Sequence, residues 1–92
     1  MKITKKRKRY KNPKFLKALG WHCRALRVMK GYSIDRMVVE GGTLSSGSID
    51  RLERGLADTQ ITVVYRYAKI LDLSLNELFD FPEAAEIEKI IR

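Results

Sequence analysis

The chain has 92 residues, 45% of them hydrophobic and 33% charged, which suits one small domain with a modest core and argues against a wholly disordered segment. Nineteen Lys and Arg against eleven Asp and Glu give a formal charge of +8. No apolar run is long enough to cross a membrane and the basic start leads into no signal-peptide core; the single cysteine, Cys23, permits no internal disulfide, so the expected setting is a reducing cytoplasm.

The positive charge is unevenly placed. Lys2, Lys5, Lys6, Arg7, Lys8, Arg9, Lys11 and Lys14 are eight bases with no acid among them. Taking these eight from nineteen leaves eleven bases to match eleven acids, so the rest of the chain is formally neutral. Residues 1–13 hold few apolar groups, repel one another and end in Asn12-Pro13, which predicts a flexible basic arm. On nucleic-acid phosphates such an arm gains counterion-release energy. A solubilising tail and a membrane-surface patch are the other readings of the same composition. The helices that follow favour the nucleic-acid arm.

Lys14 to Lys30 reads as the first long helix, with Leu16, Leu19, Cys23 and Leu26 on one buried face and Gly31 closing it. Cys23 on that stripe is expected to be a small buried hydrophobe rather than a reactive thiol. His22 points about 100° away from it, and no second histidine exists to share a metal, so neither metal nor cofactor is expected. Trp21 falls off the inner stripe; it could cover an edge, meet a second subunit or pack against the arm.

Ser33 to Val39 predicts a short second helix, capped by Ser33, with Met37 and Val38 inward. The Gly41-Gly42-Thr43 turn leads to a third. There Ser45 is the N-cap, Ile49 and Leu52 share the face that anchors to a core, and Gly55 supplies a left-handed stop. Ser46, Gly47, Asp50, Arg51 and Arg54 fall on the opposite, polar face. Two short helices about a glycine-bearing turn have the form of a helix-turn-helix.

Leu56 to Thr59 reads as a loop, with Asp58 or Thr59 capping a fourth helix in which Ile61, Val64, Ala68 and Leu71 form the inner stripe. Tyr65 and Tyr67 flank that stripe, rings packed and hydroxyls in water. Ser74 caps a last core helix with Leu75, Leu78 and Phe79 inward. Pro82 stops it, and residues 82–92 predict a C-terminal helix with Ala84, Ile87, Ile90 and Ile91 on one stripe. This helix would either pack back on its own domain or form a dimer contact. With no alternating strand pattern, the expected fold is all-α, residues 14–81 forming the central domain.

Leu19-Gly20, Cys23, Arg24, Leu26, Arg27, Gly31-Tyr32-Ser33, Ile49, Leu52-Glu53-Arg54-Gly55, Tyr67-Ala68-Lys69, Leu71 and Leu73-Ser74-Leu75-Asn76-Glu77-Leu78-Phe79 together resemble the phage-repressor and Cro-like helix-turn-helix family, also called the xenobiotic-response-element family. The resemblance covers roughly residues 15–80. It implies a five-helix lambda-repressor-like domain whose third helix, about 46–54, enters the major groove of double-stranded DNA. Carried onto this sequence, base contacts would come from Ser45, Ser46, Gly47 and Arg51, with Ser48 near a phosphate or base. Arg51 alone could bond guanine bidentately. The resemblance also implies that Arg27 pairs with Glu53. In the related repressors that have arms the tail wraps the duplex, which fits the phosphate contacts expected of Lys5, Lys6, Arg7, Lys8 and Arg9 from their charge.

Three features depart from the family. Ile34 stands where a phosphate-bonding glutamine is usual, the turn through Leu44 is one residue longer, and Leu56-Ala57-Asp58 replaces a basic loop. Each weakens the usual phosphate clamp, so the arm would have to supply the missing electrostatics. The expected function is therefore a DNA-binding transcriptional regulator, a homodimer on a palindromic site. The alternatives are an antitoxin or adaptor that binds a protein partner through the same fold, and nonspecific nucleic-acid coating by the arm. With one histidine, a core-facing cysteine and no glycine-rich phosphate loop, no enzyme is expected.

Overall fold

Pro13 opens the first helix, at a position where the N–H that proline lacks would have no intrahelical partner anyway. The computed structural model describes residues 13–56 and 60–82. Among these residues it contains five helices and no strand: α1 Pro13–Met29, α2 Ile34–Gly41, α3 Ser46–Arg54, α4 Ile61–Ile70 and α5 Leu75–Leu78. None of them is long and apolar enough to cross a membrane. Residues 1–12 and 83–92, which hold most of the predicted arm and the predicted C-terminal helix, lie outside the described residues, as does the predicted cap at Asp58 or Thr59.

The short helices begin where serine hydroxyls take up orphan backbone donors. Ser33 accepts from the Arg36 N–H, Ser45 from that of Ser48, and Ser74 from that of Glu77, whose carboxylate returns a bond to the Ser74 N–H. Each helix then buries one face. Leu19 and Cys23 of α1, Met37 of α2, Ile49 and Leu52 of α3, Val64, Tyr67 and Ala68 of α4, and Leu78 of α5 meet in one core, joined by Leu44, Leu71 and Phe81.

The closest packing is between α1 and α3. A Cβ on Gly20 would strike the Glu53 carbonyl oxygen and lie 2.6 Å from that of Leu52. Gly55 combines a φ of +65° with a backbone so near α1 that a Cβ would sit 2.8 Å from the Lys17 Cα. These two glycines let α3 and the residue that ends it rest directly on the backbone of α1.

The structure corrects several expectations. Pro13, predicted as the last residue of the arm, belongs to α1. The second helix runs through Gly41, leaving Gly42–Ser45 as the turn, from which Leu44 drops into the core. Leu16 is only half-buried. The N-cap of α4 is Gln60, without a side-chain bond. Ile61 is 62% exposed because the inner face of α4 is centred on Tyr67 and Ala68, placing Ile61 at its edge in the first turn. Tyr67 has no exposure at all, so its hydroxyl is not in water. Leu75, in the first position of α5, stays 37% exposed rather than fully buried.

Candidate nucleic-acid interface

A helix that is to be read from outside must be held from behind, and α3 is held by apolar and ionic contacts together. Ile49 and Leu52 are buried in the core. Between them and the next turn, Glu53 faces inward and accepts two bonds from Arg27, Nε to Oε2 at 2.7 Å and Nη2 to Oε1 at 2.9 Å. Arg27 also donates to the Tyr32 carbonyl oxygen at 2.8 Å. The Tyr67 phenol donates to Glu53 Oε2 at 2.5 Å and lies 3.0 Å from the Cys23 carbonyl oxygen.

One carboxylate thus joins α1, the residue before the α2 cap, α3 and α4. Desolvation offsets much of the Coulomb attraction of so buried a pair, so its main effect is to fix the orientation of α3; removing one partner would still cost about 3–5 kcal/mol. Among the described residues no buried side-chain nitrogen or oxygen lacks a hydrogen bond. The same burial pushes the Cys23 thiol up to about 12, with the Glu53 carboxylate adding to the shift. That keeps Cys23 a packed thiol rather than a nucleophile.

The outward face of α3 is small and polar. Ser46, Gly47, Arg51 and Arg54 are exposed, and Ser48 and Asp50 half-buried. Asp50 is held by Arg54 at 3.1 Å, which neutralises the one acid of this face. Arg51 pairs with no carboxylate among the described residues, so its guanidinium projects with its donors available. The Ser45 hydroxyl is committed to the cap, accepting the Ser48 N–H at 3.1 Å and donating to Ser48 Oγ at 3.1 Å. Gly47 is the odd residue. A Cβ there would meet nothing nearer than Ser45 Oγ at 3.8 Å, and its φ is not in the left-handed range. Glycine costs a helix up to about 1 kcal/mol relative to alanine, and nothing in this fold requires it.

The side chains at the start of α2 are largely engaged within the fold. Ile34 is half-buried against the core, and the nearby Arg36 is drawn to Glu40 at 2.7 Å and lies over the Tyr32 ring at 4.0 Å. Lys5, Lys6, Arg7, Lys8 and Arg9 lie outside the described residues.

The sequence reading missed two parts of this region. Tyr67 completes the Glu53 network, yet its partners are 14 and 44 residues away in the chain. A groove of about 700 Å³ runs between α1 and α3, with Lys17, Trp21 and Arg24 on one wall and Arg54 and Leu56 on the other. The spacing of residues 17, 21 and 24, one and two turns apart, was a readable signal for that wall.

The chain matches no protein-family model, no curated protein and no solved structure.

Proposed function

We propose that the protein is a sequence-specific DNA-binding transcriptional regulator with a lambda-repressor-like helix-turn-helix domain, α3 being the helix that enters the major groove. In this reading Ser46, Gly47 and Arg51 approach base edges, and Ser48 a base or phosphate. The basic N-terminal residues hold phosphates, and two copies bind a palindromic site through the apolar C-terminal stripe.

The observation that carries this reading is Gly47 on the exposed face of a helix braced from behind by a buried ion pair. A glycine that costs helix stability and relieves no clash is accounted for by a surface that something else must approach closely. The groove floor of duplex DNA is such a surface, and Arg51, one turn beyond Gly47 on the same side, carries the fork that pairs with guanine O6 and N7.

The test is a selection from a random duplex library at fixed salt, followed by titration of the preferred site. Arg51→Ala should weaken that site by about 1–3 kcal/mol and relax its preference at one base position. Gly47→Ala should stabilise the fold by up to about 1 kcal/mol while weakening the selected site. Failure to enrich any site would end the reading. The exposed apolar side chains Val39, Leu56 and Ile61 favour, as a second reading, an antitoxin or adaptor that docks on protein. That reading predicts capture of a discrete polypeptide with no enrichment of duplex.

A further inference from the structure

We infer that the groove between α1 and α3 is a second DNA-contact surface, seating the phosphodiester backbone of the duplex whose major groove α3 reads, with Trp21 as its central contact. The inference rests on the proposed DNA-binding function and adds to it a partner for a region that function leaves unassigned.

The argument begins with hydrogen-bonding capacity. Lys17, Trp21 and Arg24 line one wall of the groove, and all three side chains are donors without an acceptor. The two carboxylates that reach the groove are already engaged. Asp50 is paired with Arg54, and Glu53 takes bonds from Arg27 and Tyr67. Lys17 and Arg24 have no carboxylate partner among the described residues; Arg24 lies 5.9 Å from the centre of the Trp21 ring. A wall of donors and uncompensated cations fits an occupant that is anionic and only accepts hydrogen bonds, which describes a phosphodiester.

Trp21 adds shape. Its ring is 67% exposed, an unusual state for the largest apolar side chain in the protein. An indole can lay its apolar face on deoxyribose while its N–H donates to a phosphate oxygen. Lys17 and Arg24 lie on either side of it, separated by about 10 Å along α1, so they would meet different phosphates of one strand.

Position completes the case. The groove shares Asp50 and Arg54 with the exposed side of α3, and it includes Ile34 at the start of α2. At its other end Lys17 stands one turn inside α1, whose first residue, Pro13, directly follows the basic N-terminal sequence. The groove therefore lies between α3 and the side of α1 that begins one turn after Pro13. It also supplies cations near the start of α2, where Ile34 offers none.

The test uses the full chain and a duplex of mixed sequence at low salt, because backbone contacts do not depend on sequence. Anisotropy of a labelled duplex reports binding, and the emission of Trp21, the only tryptophan in the chain, reports the groove directly. Emission should change on adding unlabelled duplex. The double variant K17A/R24A should lower the slope of log affinity against log salt by about 2. R66A/K69A, the same charge loss on exposed α4 residues outside the groove, should leave the slope as in the wild type. Every substituted residue is exposed, and helix content by circular dichroism checks the fold. Unchanged Trp21 emission at saturating duplex, or the same slope in both double variants, would overturn the inference while leaving DNA binding by α3 intact. Absence of any anisotropy change with wild-type protein would overturn the inference and the DNA-binding reading together.

Discussion

Tyr67 shows how much a single hydroxyl can carry. Its ring fills the core between α1, α3 and α4, while its oxygen serves the one carboxylate that orients α3. Burial, followed by the hydrogen bond to Glu53 and the charge of that carboxylate, raises the Tyr67 phenol well above its ordinary value of 10.0. The Cys23 thiol rises from 9.0 to about 12, through burial first and Glu53 second. Both groups therefore lose their protons more readily in the unfolded chain than in the folded one. Stability tied to them is complete below the unfolded values and is lost as pH rises, from about 9 for the thiol and about 10 for the phenol. Urea unfolding should show a falling midpoint above about pH 9. Tyr67→Phe removes the phenol's share, so its alkaline decline should be shallower. At neutral pH it should be about 1–3 kcal/mol less stable, since Glu53 loses a buried donor. Equal alkaline slopes for wild type and variant would refute this account.

At the scale of elements, the crossing of α1 and α3 decides how the outer face is presented. Gly20→Ala would drive a methyl group into the backbone carbonyls of Leu52 and Glu53, which cannot turn aside as a flexible side chain can. The helices must separate, at a cost of about 1–3 kcal/mol or more. Thermal unfolding should show a clear drop in midpoint, and affinity for the selected duplex should fall with it, because α3 can no longer sit at the same angle. Wild-type affinity in a folded G20A protein would show that the angle of α3 is irrelevant to binding.

α3 itself was readable from the sequence because independent local signals coincided there: a serine cap at residue 45, two apolar residues three apart, and a glycine stop at 55. The face they expose follows from the helical period. Tyr67 was not readable, since tyrosine on a helix edge ordinarily keeps its hydroxyl wet and only tertiary contacts bury it. Ile61 misled because an apolar period says nothing of whether a partner lies opposite the first turn. Gly20 carried no local signal for its role; the clash that excludes a larger residue there comes from a helix more than thirty positions later in the chain.

For the whole molecule the question is where the electrostatic part of the proposed DNA binding would reside. Three of the arginines in the helical body are tied to carboxylates, Arg27 to Glu53, Arg36 to Glu40 and Arg54 to Asp50, and the first is buried. Residues 2–11, by contrast, contain seven bases and no acid. If these bases neutralise phosphates, each contributes about 0.9 to the slope of log affinity against log salt. Deleting residues 2–11 stops short of Pro13 and leaves every residue of α1 in place. Helix content should be unchanged while the slope falls by up to about 6 and low-salt affinity drops sharply. Preference among sequences should persist in the truncated protein, because in the proposed reading Arg51 and its neighbours would read bases while residues 2–11 would meet only phosphates. The groove on α1 would contribute through other phosphates, so combining the deletion with K17A/R24A should lower the slope by the sum of the two separate losses. An unchanged salt slope in the truncated chain would exclude the arm as the electrostatic grip and leave the helical body to bind alone.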